Sequence, residues 1–383
     1  MEVPIRACNR ALIIVFRPTP SATLARRYRL DPQHHRLLSR PLLRYPASGA
    51  TRRTFSTRTA PAMSPPGAAP RAQAVDGPLT QSAAFLVLSV LPGAEAAGTV
   101  RSALAGIEGL AKTVSFRDAG TSFSVTVGIG SEAWDRLTGG AARPAELHPF
   151  RPVAGQTHTA VSTAGDVLVH IRSDRRDLCF EFERQLMKRL DGAVRVDDQT
   201  VGFRYFDQRD LLGFVDGTAN PVGPARPAST LVTAAEDEAA VSGSYVVVQK
   251  YLHDMAAWDR LPAEKQEAIV GRTKMDNVEL DDAAADEQKS HKTLATVEDD
   301  QGVEHDILRD NMPFGAPGSG EFGTYFIGYS SRLWVMERML DRMFIGDPPG
   351  KHDRILDYSK PVTGTVFFVP SAGFLANLDG GDD

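Results

Sequence analysis

Residues 85–91 read Phe85-Leu86-Val87-Leu88-Ser89-Val90-Leu91, a nearly unbroken apolar run that stops at Pro92-Gly93. So short and continuous a run predicts a strand buried on both faces. Residues 94–112 then place Val100, Leu104, Ile107 and Leu110 at helical spacing, although Gly98, Gly106 and Gly109 weaken the pattern. Two further strands are predicted over 113–116 and 123–129, the second with Phe123, Val125, Val127 and Ile129 on one face. A turn at Asp118-Ala119-Gly120 would join them into a hairpin. A strand over 166–172 follows, then a charged helix over 174–190 whose apolar face is Leu178, Phe182, Leu186 and Leu190. Strand, helix, hairpin, strand, helix is the split βαβ order of a ferredoxin-like unit. A similar order recurs as strand 245–251, helix 262–271, strand 323–329, helix 333–344 and strand 363–369. The pattern therefore predicts an α+β chain of two ferredoxin-like halves, 81–230 and 231–378. Residues 133–137 and 257–261 both read Ala-Trp-Asp-Arg-Leu, a sign of duplication unless it is simply a favourable helix opening.

Charge divides the 383 residues differently. Residues 1–62 hold twelve arginines, no lysine and only Glu2 and Asp31 as acids, a charge of +10; against −5 for the whole chain, the remainder carries −15. An acidic body without an Arg/Lys stripe argues against nucleic acid as a partner. The apolar run at residues 11–16 is too short to span a bilayer, so no membrane span is expected, and the arginines beyond it argue against a secretory signal. Residues 1–62 read instead as an organellar transit peptide, with Arg53-Thr54-Phe55-Ser56 similar to a mitochondrial processing site. Mitochondrial import is the expectation. The alternatives are chloroplast import, a disordered basic tail, or a true start at Met63 that would leave a cytoplasmic protein. Residues 63–80, rich in Pro, Gly and Ala, read as a flexible linker.

Two cysteines, Cys8 and Cys179, exclude a disulfide framework or a thiolate zinc cluster. The nine histidines form no His-x-x-x-His pair, so a zinc hydrolase signature is absent. His34 and His35 lie in the leader, and His148 and His158 in a polar, proline-containing stretch. His170 ends an apolar strand as a core histidine would, and His253, His305 and His352 sit among charges as exposed residues would. His291 stands apart, in Lys289-Ser290-His291-Lys292 after an acidic run. Asp216 is flanked by glycines in Gly213-Phe214-Val215-Asp216-Gly217-Thr218-Ala219-Asn220-Pro221, which could project a carboxylate into a pocket wall or merely cap its own turn. Arg309-Asp310-Asn311-Met312-Pro313-Phe314-Gly315 is a polar triplet before a turn, where an arginine is ordinarily a surface ion pair.

Taken in order, these three segments resemble the dye-decolorising peroxidase family, in particular its B branch. The resemblance spans roughly residues 80–378 and extends to Asp177-Leu178-Cys179-Phe180-Glu181, Gly271-Arg272-Thr273-Lys274 and Thr363-Gly364-Thr365-Val366-Phe367-Phe368-Val369. It implies two ferredoxin-like units forming a dimeric α+β barrel-like protein with one haem b per chain. It implies His291 as the iron ligand, with Asp353 as the acid behind it and Asp357 as the fallback. Asp216 would relay a proton during peroxide cleavage. Arg309 would supply a cation, lower the pKa of Asp216 and meet a haem propionate, and Asn311 would orient peroxide or water. The implied reaction takes hydrogen peroxide and a small-molecule electron donor, dyes or phenolics, oxidised in one-electron steps. Tyr325, Tyr329, Trp334 and Tyr358 are available as electron relays, although packing is their more ordinary role. The competing reading is a haem-binding or haem-handling protein without turnover, which would need the ligand but not the acid and cation. A homo-oligomer is left open. The acidic end Asp379-Gly380-Gly381-Asp382-Asp383 gives no support to docking in an encapsulin shell.

Overall fold

The computed structural model describes residues 69–380; the proposed transit peptide lies outside the described residues. The apolar run forms strand β1, Ser82–Val90. Helices α1, Ala94–Ala105, and α2, Ile107–Ser115, follow, divided at Gly106. Then come β2, Phe123–Gly130, β3, Val167–Ser173, and the charged helix α3, Arg176–Arg189. Strand β4, Val194–Phe203, closes the first half. Two expectations fail here. Residues 113–116 are helical because Leu110 and Val114 extend the buried face of α2, so the hairpin at 118–120 does not exist. The strand the unit required is β4, whose polar sequence hid it.

The second half contains β5, Ser244–His253, α4, Ala263–Val270, and the short α5, His291–Ala295. Strands β6, Met312–Ala316, and β7, Glu321–Ser330, follow, then α6, Leu333–Phe344, and β8, Thr365–Val369. All pairings are antiparallel, and the main path runs β7-β5-β8-β2-β3-β1-β4, with β6 added on β7. The β8 to β2 ladder joins the halves. No ladder links β4 to β6, but a Cβ at Gly202 would collide with Met312, so the two ends of the sheet nearly meet. The sheet wraps around an interior without hydrogen-bonded closure.

Both faces of this sheet are covered over much of its extent, which is why β1 and β8 read as continuous apolar runs. Inside lie Phe85, Val87, Leu168, Val248, Ile327 and Phe367; outside, Leu86, Leu88, Val169, Val247 and Phe368 pack with the helices. The interior also holds charge. Arg172 is buried and donates to Asp310 at 3.2 Å, and His170, also buried, shares a 2.9 Å hydrogen bond with Tyr329. Residues 69–80, expected to be a flexible linker, are packed instead: Val75 and Thr80 are buried, and the Gln73 side chain pairs with Val127 on both its amide and carbonyl. Trp134 and Trp258 of the pentapeptide repeat are both buried, but one follows β2 and the other β5, so the repeat marks a shared helix opening and not equivalent positions. Gly202→Val should overpack the β4 to β6 approach and destabilise the fold by about 1–3 kcal/mol, read as a lowered denaturant midpoint at unchanged m-value.

Candidate functional site

A cavity of about 800 Å³ lies outside the sheet wrap, against β5, β7 and α6. Its lining includes His291, Asp216, Arg309 and Asn311, brought from three separate segments. Each is placed by local chemistry.

His291 opens α5, with Ser290 as the N-cap accepting from the Thr293 N–H. Its Nδ1 is 2.6 Å from Oδ2 of Asp353, a wholly buried carboxylate whose other oxygen accepts from the Ile355 N–H at 3.0 Å. Burial lowers the imidazole pKa, and the Asp353 carboxylate more than reverses this, so the net shift is upward. The fallback acid, Asp357, is committed elsewhere, to His158 and His352.

Asp216 is held by its glycines: Gly213 (φ 95) and Gly217 (φ 78) take left-handed conformations, and the Gly217 N–H donates to the carboxylate at 2.6 Å. Asn311 donates to the other oxygen at 3.0 Å and accepts from the Ile327 N–H at 3.1 Å. Alternation along extended chain sends Arg309 and Asn311 to the cavity and Asp310 between them into the sheet interior, where it is 2% exposed. The Arg309 guanidinium makes no ion pair with Asp216 or with any other described residue. Beside these groups a second cavity of about 40 Å³, lined also by Thr80, Arg204 and Tyr205, shares Asp216, Arg309 and Asn311.

Two contributors escaped sequence reasoning. Asn220 holds the backbone of Arg309 at both ends, donating to its carbonyl at 2.7 Å and accepting from its N–H at 2.9 Å. The first motif thus holds the third in place. Asp210 also lines the cavity, and burial, opposed by the Phe214 N–H and reinforced by the charge of Asp216, pushes its carboxyl up to about 7. Its place three residues before Gly213 was the one available signal. Of the candidate relays, Tyr325 and Tyr329 are buried in the sheet interior, Tyr325 stacked on Phe85 at 4.1 Å. Trp334 meets His305, and Tyr358 meets Trp258, both edge to face. Cys179 is buried, with its thiol pushed up to about 12 by that burial, and carries no thiol chemistry.

These residues suit a haem. Val215, Ile307, Phe326 and Met339 give the cavity apolar walls, and the Nε2 of His291 opens to it without a hydrogen bond. Lys289 and Arg342 bring positive charge, and the buried Nε of Arg342 has no partner.

Comparison with known proteins agrees. Family models for the Dyp-type peroxidase N-terminal and C-terminal regions match residues 72–204 and 207–374. A dye-decolorizing peroxidase of Mycobacterium tuberculosis is 50% identical over 315 residues, covering 82% of this chain and 90% of that protein. A DypB variant of Rhodococcus jostii RHA1, solved in complex with heme, has a TM-score of 0.77 at 51% identity, covering 81% of this chain and 99% of its own. The encapsulated DyP-type peroxidase from Mycobacterium smegmatis gives the same TM-score at 51% identity, covering 81% and 98%. These relatives are bacterial, which overturns the expectation of a mitochondrial protein. One of them is encapsulated, so the acidic end of this chain does not weigh against a shell. Among the described residues no helix is long and apolar enough to cross a membrane.

Proposed function

This chain belongs to the Dyp-type, dye-decolorising peroxidase family, and from that premise we propose that His291 holds its haem while Asp216, Arg309 and Asn311 manage peroxide. The enzyme is a haem peroxidase that reduces hydrogen peroxide and oxidises donor molecules in one-electron steps. The haem, when bound, supplies the iron that accepts the oxidising equivalents of peroxide and delivers them singly to a donor.

The observation that carries the reading is that His291 and the Asp216, Arg309, Asn311 group line one cavity. His291 would hold the iron through Nε2, and its Nδ1–H, donated to Asp353, would fix the tautomer and make the ring a more basic ligand. Asp216 takes the proton from one peroxide oxygen and returns it to the departing one. Arg309, a fixed cation with no partner of its own, stabilises negative charge developing on that oxygen. Asn311 has both ends of its amide engaged by Asp216 and Ile327, so it positions the acid more than it binds substrate.

Arg309→Leu tests this assignment. The variant should bind haem at wild-type stoichiometry, with its Soret band retained. On stopped-flow mixing with peroxide, the spectral change should slow by roughly a hundredfold. Asp216→Ala should slow it similarly, and wild-type rates in both variants would sink the assignment.

A further inference from the structure

The residues His158, His352 and Asp357 take no part in the peroxidase site, yet they converge. His158 lies at the tip of a small hairpin, Val153–Ala154 paired with Thr159–Ala160, closed by the Gly155 N–H to His158 carbonyl bond at 2.9 Å. The hairpin is fixed from below: a Cβ at Gly155 would collide with the Phe344 carbonyl at the end of α6, so only glycine allows the tip to sit there. His352 and Asp357 come from the segment after α6, across a 3-10 turn, Arg354–Asp357. Both Nε2 atoms approach the same Oδ1 of Asp357 at 2.9 Å. The rings stand edge to face with centroids 4.8 Å apart, and the three donor atoms lie within 4.8 Å of one another. The other carboxylate oxygen is held by Arg354.

We propose that His158, His352 and Asp357 form a site for a divalent transition metal ion of the zinc class, distinct from the haem site. Two imidazoles and one carboxylate oxygen are the donor set such ions prefer, whereas magnesium and calcium favour all-oxygen sites. Arg354, by engaging Oδ2, leaves Oδ1 to bind as a single donor, the orienting role that outer partners play around metal-bound carboxylates. With side chains 22%, 15% and 23% exposed, the three groups are open to an ion from solvent, and water completes the coordination. The ion would tie the 153–160 hairpin to the 3-10 turn that Asp353 caps, and so to the residue that holds His291.

Zinc titration of the haem-loaded full chain, without an affinity tag, tests this by isothermal calorimetry. One zinc per chain should bind at a site that His158→Gln weakens by more than about a hundredfold and that His158→Gln with His352→Gln abolishes. Glutamine keeps an N–H donor for Asp357, so a merely hydrogen-bonding role would survive these changes. Circular dichroism and the Soret band report on folding of each variant, independently of activity. No zinc uptake, or uptake of equal affinity in the double variant, as for an ion on His34 and His35, would overturn the proposal.

Discussion

Purified His291→Ala should be a folded protein that does not retain haem. The imidazole starts a five-residue helix and faces the cavity, so its removal leaves the α5 N-cap at Ser290 and the surrounding apolar walls in place. What is lost is the nitrogen whose other face is set by Asp353. Removing only an outer partner of a metal ligand costs about tenfold to a hundredfold in affinity, so deleting the ligand itself should cost more than about a hundredfold. Haem per chain, from the pyridine haemochrome after reconstitution, is the measurement, with circular dichroism as the control for folding. Full stoichiometry with an unshifted Soret band would show that the iron sits on another residue.

The largest effect on stability is expected from Asp310→Ala. Arg172 and Asp310 face each other inside the sheet at 3.2 Å with 1% and 2% of their side-chain surface exposed. Burial pushes the Asp310 carboxyl upward against the pull of Arg172, so desolvation outweighs attraction and the intact pair contributes little. Breaking it is another matter. A guanidinium left without its carboxylate in that interior should destabilise the protein by about 3–5 kcal/mol, seen as a large fall in the urea midpoint. Replacing both members with apolar residues of similar volume, as in Arg172→Met with Asp310→Leu, should recover most of the loss. A single-variant change below about 1 kcal/mol would mean that water reaches the pair.

Strands β1, β3, β5 and β8 were legible because burial on both faces makes most of their positions apolar. Strand β4, Val-Arg-Val-Asp-Asp-Gln-Thr-Val-Gly-Phe, ends the sheet path with Arg195 and Asp197 paired near its surface, and its polar residues conceal its period. Residues 113–116 misled in the opposite sense, since Val114 serves a helix face as readily as a strand. His291, Asp216, Arg309 and Asn311 stood out as candidates because each stands in a short distinctive string, and the fold gathers all four on one cavity. The groups that place them were not. Asn220 lies 89 residues from Arg309 and Arg172 lies 138 from Asp310, so no local pattern could pair them. The convergence of His158 and His352 on one carboxylate was equally invisible, because each is an isolated polar residue until the hairpin meets the turn after α6.

Asn220 grips Arg309 through main-chain atoms alone, and main-chain atoms are common to every residue except for the missing N–H of proline. The frame that presents position 309 is therefore indifferent to what it presents. A saturation library there would vary the group offered to the oxidant while the scaffold stays constant, which makes this position the natural handle for engineering new oxidative selectivity.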